Sequence, residues 1–266
     1  MNSKPKITIS QSLIKALDVH AGKCPAKAYA VFILGLEHGS SRAMELGNYF
    51  ETVVYGGTED GSKIEPERNK KTNEILTPFR RVHKQAYRFM TEYAQNYKMD
   101  LSEPRVHLTA EIAGYPGYAL RGRLDLVSSI YDDKNYPKSP FIKKAIIDTK
   151  ITGSITNTFG DFAWGNPSAM DHLQMDIYSM LYEIVNKQKV PCYYFVMDTS
   201  KEEGHLLVHK EVNQDDIRKA KKRIVLTISR IEDYFGNYGS EWPKAPNPKN
   251  CRGCPLSSTC TSAKLD

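Results

Sequence analysis

What this sequence most clearly lacks is an apolar run long enough to cross a membrane. The stretch Ala30–Leu34 stops far short of the roughly 20 residues that a bilayer requires. The head MNSKPKITIS has none of the apolar core of a secretion signal, so the expectation is a cytoplasmic protein with no membrane contact. Nucleotide-hydrolysing machinery is also missing, because GGTEDGSK does not have the G-x4-G-K-[S/T] spacing that cradles phosphates. The seven histidines show no HExxH or zinc-deaminase spacing, and no G-x-S-x-G elbow is present. These absences exclude the common metalloprotease, deaminase and serine-hydrolase chemistries. Cysteine is scarce: five residues, an odd number, which does not suit a disulfide framework in a chain of 266.

What is present describes a folded protein. Hydrophobic residues make up 40% and charged residues 26%, an ordinary globular balance with enough apolar surface for a core. Lys and Arg number 37 against 31 acidic residues, a net +6. Such a balance permits a polyanionic partner without requiring one.

The periodicity predicts a helical region over residues 1–100, an α/β core over 101–212 and a helix with a cysteine-rich tail over 213–266, together one domain. Ser10 caps a short helix carrying Leu13, Ile14 and Leu17, a second helix covers Ser40 to Val54, and Pro78 opens a long helical pattern. Residues 56–73 are polar and charged and predict a loop. RVHLTAEIAG and YALRGRLDLVSSI alternate as two antiparallel strands about Tyr115-Pro116-Gly117, and FIKKAIIDTKI follows as a third. Asn166-Pro167 starts the next helix, with Met170, Leu173, Ile177, Leu181 and Ile184 as its stripe. VPCYYFVMD and HLLVHKEV form a hairpin, and Asn213 begins the last helix. Helices and strands in this order indicate an α/β fold.

The sharpest chemical signal is IIDTK. Asp148 and Lys150 lie two apart at the end of an apolar strand and so share one face. Alone, D-x-K reads as a surface ion pair. Asp125 on the preceding strand, between Leu124 and Leu126, adds a second carboxylate at the same sheet edge. A hard cation such as Mg²⁺ takes carboxylate oxygens, and bound there it would neutralise a phosphodiester's developing charge. Arg121 and Arg123 share the face of Asp125 and are weaker candidates for gripping a phosphate. Arg80, Arg81, Lys84 and the run RKAKKR are further candidates for phosphate contact, though a solvated helix face accounts for each equally well.

Asp125 with Asp148-x-Lys150 on a hairpin resembles the signature of the PD-(D/E)xK nucleases, with Leu124 in place of the proline. Gln174 and Tyr178 in QMDIY look like the QxxxY motif of the RecB-like branch; at i and i+4 they share a helix face. SRAMELGNYFE is similar to the helix on which this superfamily carries a first metal ligand. There Glu51 stands where RecB-like members usually have histidine, as in the lambda-exonuclease-like branch. Glu111 is a weaker ligand candidate.

The resemblance implies a restriction-endonuclease-like core, a central mixed sheet flanked by helices. Glu51, Asp125, Asp148 and the Thr149 carbonyl would hold one or two Mg²⁺ or Mn²⁺ ions. Lys150 would position water, and Gln174 and Tyr178 would orient the lysine or the DNA end. It further implies an exonuclease acting on single- or double-stranded DNA ends in recombination or repair, in a bacterium or a phage. A recombinase or single-strand-binding partner and an oligomer are compatible with it. The alternative is a catalytically silent DNA-binding subunit of a recombination or CRISPR-adaptation complex.

The cysteines complete the likeness. Cys251, Cys254 and Cys260 form C-x2-C-x5-C, and Cys24 lies near the other end. This split set resembles the AddB/Cas-four-type nucleases, whose four cysteines hold a 4Fe–4S cluster; structural Zn²⁺ suits the same spacing. Such a centre would staple the chain ends, offsetting roughly 5 kcal/mol of loop-closure entropy. Cys192 reads instead as a buried strand thiol.

Overall fold

The computed structural model describes residues 7–18, 22–58, 61–159, 163–200 and 204–260. The secretion-signal reading of residues 1–6 and positions 59–60 of the charged loop lie outside them. The helices are α1 (Gln11–Ala16), α2 (Pro25–Ala28), α3 (Arg42–Tyr55), α4 (Thr77–Arg88), α5 (Ala94–Asn96), α6 (Leu173–Asn186), α7 (Gln214–Tyr238) and α8 (Pro248–Cys251). The strands are β1 (Ile7–Ile9), β2 (Pro104–Glu111), β3 (Tyr118–Tyr131), β4 (Phe141–Thr152), β5 (Cys192–Asp198) and β6 (His205–Lys210). No helix among the described residues is long and apolar enough to cross a membrane.

The chain divides into two compact units, and β3 passes from one into the other at Arg123. The first comprises Met1–Ser40, Thr109–Gly122 and Gln214–Asp266. Here β1 pairs in parallel with the start of β3, from Ile7 opposite Tyr118 to Ile9 opposite Leu120. Ser10 caps α1 by accepting the Leu13 N–H at 3.2 Å, as its position before an apolar stripe predicts. The long α7 buries Ala220, Ile224, Thr227, Ile228 and Ile231, while Arg218, Lys219, Lys221 and Lys222 of RKAKKR are exposed.

The second unit, Ser41–Leu108 with Arg123–Asn213, holds a mixed sheet. Its strands run β3-β4-β5-β6, antiparallel, parallel and antiparallel in turn. Alternation sorts the side chains. Leu126, Ile130, Ala145, Ile147, Tyr193, Phe195 and Met197 pack with Tyr49 and Phe50 of α3 and with Phe79, Val82 and Ala86 of α4. The opposite parity, including Asp148 and Tyr194, faces the segment that ends in α6, where His172 meets the Tyr194 hydroxyl at 3.3 Å and Gln174 meets Asp148 at 3.2 Å. A mixed sheet flanked by helices is the α/β core expected.

Two helix boundaries differ from expectation. Pro167–Ala169 forms only a three-residue 3₁₀ turn, and α6 begins at Leu173. Asp171 takes over the start by accepting the Leu173 N–H at 3.1 Å, so Met170 precedes the helix rather than joining its stripe. The helix opened at Thr77 passes through a wider π-turn, Phe89–Tyr93, before α5. The insertion of a π-turn shifts the apolar face without a proline or glycine to announce it.

Candidate active site

Strands β3 and β4 bring the carboxylates together. Leu124 and Leu126 are wholly buried, which leaves Asp125 on the other face of β3. Its Oδ2 accepts the Thr149 N–H at 2.9 Å and the Thr149 hydroxyl at 3.0 Å. Asp148 is 1% exposed, and its Oδ2 lies 2.5 Å from Lys150 Nζ. From α6, Gln174 Nε2 donates to Asp148 Oδ1 at 3.2 Å and to the Tyr178 hydroxyl at 2.9 Å. The i, i+4 spacing thus places an amide between a carboxylate and a phenol.

Glu51 arrives from α3 and is held by two arginines. Arg123 Nη2 lies 2.8 Å from its Oε1, and Arg105 Nε lies 3.9 Å from its Oε2. Arg105 also donates to the Glu51 carbonyl at 3.2 Å and the Thr58 carbonyl at 3.1 Å, with its guanidinium over the Tyr55 ring. It sits at φ 55°, in the left-handed region that a non-glycine residue seldom occupies. Neither Arg105 nor Tyr55 carries a local sequence signal, and sequence reasoning missed both. Thr149 was expected to offer only its carbonyl, yet its N–H and hydroxyl fix Asp125.

Glu51, Asp125, Thr149, Lys150, Gln174 and Tyr178 line one cavity of about 600 Å³. Trp164 also lines it, 2% exposed and edge-on to Tyr194 at 5.3 Å, as a wall rather than an open stacking platform. Behind Trp164, a Cβ at Gly165 would come within 2.6 Å of the Thr156 carbonyl oxygen, so only glycine fits there. Arg121 is exposed and belongs to the first unit, as does the exposed Glu111.

The site is electrostatically loaded. Burial pushes the Asp148 carboxyl up to about 7, against the pull of Lys150. Burial alone would lower Lys150, but the Asp148 and Asp125 carboxylates outweigh it and keep the ammonium charged. Burial also raises Glu51, with Arg123 opposing, and raises the phenols of Tyr55 and Tyr178. Glu51 Oε2 and Asp148 Oδ2 are both buried, with Arg105 Nε 3.9 Å from the first and Lys150 Nζ 2.5 Å from the second. Buried carboxylates are costly unless paired, and a hard divalent cation takes carboxylate oxygens of this kind. As the side chains stand, no group of three or more His, Cys, Asp or Glu among the described residues surrounds a metal position.

The four cysteines singled out by spacing line a common cavity in the first unit, but among the described residues their side chains form no group that could hold a metal as they stand. Cys24, Cys251, Cys254 and Cys260 line one small cavity of about 20 Å³, and none is disulfide-bonded. Lys27 Nζ ties the segments by donating to the Asn250 carbonyl at 3.0 Å and the Arg252 carbonyl at 3.1 Å. Gly39 and Gly253 approach so closely that a Cβ on either would meet backbone at about 3.0 Å. Cys192 stands apart, buried in β5, its thiol pushed up to about 12 by burial.

Comparison with known families decides the class: the profile described as the PD-(D/E)XK nuclease superfamily matches residues 19–261. The chain belongs to this superfamily. Among solved structures, a Eubacterium rectale protein provisionally named an exonuclease shares the fold of this PD-(D/E)XK chain with a TM-score of 0.62. The two are 20% identical, over 90% of this chain and 84% of that one. The protein SSO0001 aligns over 95% of this chain and 96% of its own at 13% identity, but its TM-score of 0.32 carries no argument. No curated protein matches this PD-(D/E)XK chain. The fold expectation is met, and the protein is a nuclease by family.

Proposed function

We propose that this nuclease is a metal-dependent exonuclease that hydrolyses phosphodiester bonds at DNA ends, in the manner of the RecB-like and lambda-exonuclease-like branch. The observation that carries it is that Glu51, Asp125, Lys150, Gln174 and Tyr178 line one cavity, with the buried Asp148 tied to two of them, Lys150 and Gln174. Glu51, Asp125, Asp148 and the Thr149 carbonyl would hold Mg²⁺ or Mn²⁺. When bound, the cation supplies charge neutralisation at the phosphate and a more acidic water. Thr149 fixes one oxygen of Asp125. Gln174 fixes one oxygen of Asp148 and is itself steadied by Tyr178. Lys150 keeps its ammonium at the carboxylates and stabilises charge that accumulates on the attacked phosphate. Arg123 and Arg105 oppose the burial that raises the Glu51 carboxyl. The setting is a bacterial or phage recombination or repair process in the cytoplasm, alongside a recombinase or single-strand-binding partner.

The test is digestion of end-labelled linear single- and double-stranded DNA with Mg²⁺ or Mn²⁺. Progressive shortening, lost in Asp148→Ala and in EDTA, is expected. Intact DNA that is nevertheless bound by the wild-type protein would overturn this reading in favour of a silent DNA-binding subunit.

Four thiols around one cavity are the donor set of a tetrathiolate centre. We assign a 4Fe–4S cluster from the split cysteine pattern. A single structural Zn²⁺ on the same four thiols is the second reading. Iron, sulfide and zinc analysis of protein purified without oxygen separates the two.

A further inference from the structure

A second cavity of about 340 Å³ in the same unit is lined by Thr77, Arg80, Arg81 and Lys84 of α4 together with Thr199 and Ser200 beyond β5. Three cations and three hydroxyls line this hollow. Arg80 and Arg81 are exposed and form no ion pair among the described residues, and Arg80 Nη2 is steered by the Thr77 hydroxyl at 3.1 Å. The far wall is fixed. Gln85, 1% exposed, donates to the Asp198 carbonyl at 2.7 Å, and the Ser200 hydroxyl and N–H are both held by Asp198 Oδ1.

This cavity adjoins the first one across a single bonded pair. Thr199 donates its N–H at 2.8 Å and its hydroxyl at 3.0 Å to the carbonyl of Thr152, and Thr152 lines the cavity that holds the carboxylates. Along β4, Thr152 is four residues from Asp148, or about 13 Å at about 3.3 Å per residue, so the two cavities lie along one strand of the sheet. Two guanidinium groups, with the Thr77 hydroxyl that accepts from Arg80 still able to donate, match the donor geometry that a phosphate accepts.

We propose that the hollow of Arg80, Arg81 and Lys84 is a phosphate-binding subsite. It grips the substrate strand at a phosphate other than the one under attack. The proposal rests on the nucleic-acid reading of the neighbouring cavity. The phosphate is either an internal one of the backbone or the terminal one of a phosphorylated end, and both offer the same chemistry.

The experiment is fluorescence anisotropy of a labelled oligonucleotide in EDTA, read over a salt series, so that binding is measured without cleavage. Each phosphate neutralised contributes about 0.7 to 0.9 to the slope of log affinity against log salt. The double variant Arg80→Ala/Arg81→Ala should bind about tenfold more weakly, its slope shallower by about 1. Arg80→Lys/Arg81→Lys, which preserves charge, should recover most of the slope. Lys70→Ala/Lys71→Ala, an equal charge loss in the exposed loop, serves as the control and should move it far less. Paired oligonucleotides with 5′-phosphate or 5′-hydroxyl ends locate the ligand. An equal loss on both assigns a backbone phosphate, and a loss confined to the phosphorylated one assigns the end. Wild-type slopes in the alanine variant, with unchanged melting temperature, would overturn the subsite while leaving the nuclease reading intact. Wild-type protein that binds in this way yet cuts nothing would overturn the nuclease reading alone.

Discussion

Gln174 and Asp148 meet across the gap between α6 and β4, the amide donating to the carboxylate at 3.2 Å while the same nitrogen reaches the Tyr178 hydroxyl at 2.9 Å. The carboxylate is 1% exposed, and its other oxygen lies 2.5 Å from Lys150 Nζ. Its rotamer, and so the direction in which that second oxygen points, depends on the amide together with the lysine. Partners of this kind behind a metal ligand change affinity or activity by about 10- to 100-fold.

Gln174→Leu should therefore lower cleavage by about that factor and weaken Mn²⁺ binding, while Tyr178→Phe, which leaves the amide on Asp148, should cost less. Calorimetric Mn²⁺ titration beside cleavage rates checks this. A leucine variant with wild-type Mn²⁺ affinity and rate would remove Gln174 from the site.

Lys150→Ala should lower the cleavage rate by about 10²- to 10³-fold, the range for losing one charge-stabilising donor. DNA affinity should stay within about threefold, because the lysine is one cation inside a largely acidic cluster. Single-turnover kinetics with a separate binding isotherm reads both. Equal losses in the two would mean that Lys150 grips substrate rather than the transition state.

The pH dependence follows from Asp148. Its carboxyl is pushed to about 7 in the fold, whereas an unfolded carboxyl titrates near about 4. Between those values the folded chain binds the extra proton, so its metal-free stability falls as pH rises through the window. A divalent cation takes the proton's place. The gain in melting temperature on adding Mg²⁺ should be larger at pH 8 than at pH 6, and Asp148→Asn should flatten the difference. An equal gain at both pH values in the wild type would contradict this.

Cys254→Ala should lower the melting temperature and abolish bound metal before it affects the intrinsic rate of cleavage. Metal analysis and thermal melting report this directly. Unchanged melting with four intact thiols titratable in the wild type would show that the cysteines hold nothing.

Much of the second unit was legible because its strands alternate cleanly. Apolar neighbours announced Asp125 and Asp148, and the i, i+4 spacing announced Gln174 with Tyr178. Spacing singled out four cysteines; the structure places them on one cavity but, among the described residues, not as a group that could hold a metal. What could not be read has a common cause, namely contacts that no local pattern records. Arg105 reaches Glu51 from a strand residue at φ 55°, a conformation that no propensity favours for arginine. Arg123 was expected to grip phosphate, and the structure finds it engaged with Glu51 at 2.8 Å. The α6 boundary was misplaced because Asn166-Pro167 is a strong local start signal, yet the helix begins where the Asp171 carboxylate accepts the Leu173 N–H and the His172 carbonyl accepts the Asp176 N–H.

Strand β4 has one more implication. Seven consecutive residues, Ile146 to Thr152, are locked in register with Cys192 to Asp198 of β5, and Asp148, Lys150 and Thr152 occupy alternate positions within that span. Inserting or deleting one residue upstream of Asp148 on this strand would turn the carboxylate and the lysine together into the apolar layer of Phe79 and Phe89. The strand therefore tolerates substitution far better than any change of length. Lineages of this protein should vary in length in the turns between strands, and not within Ile146–Thr152.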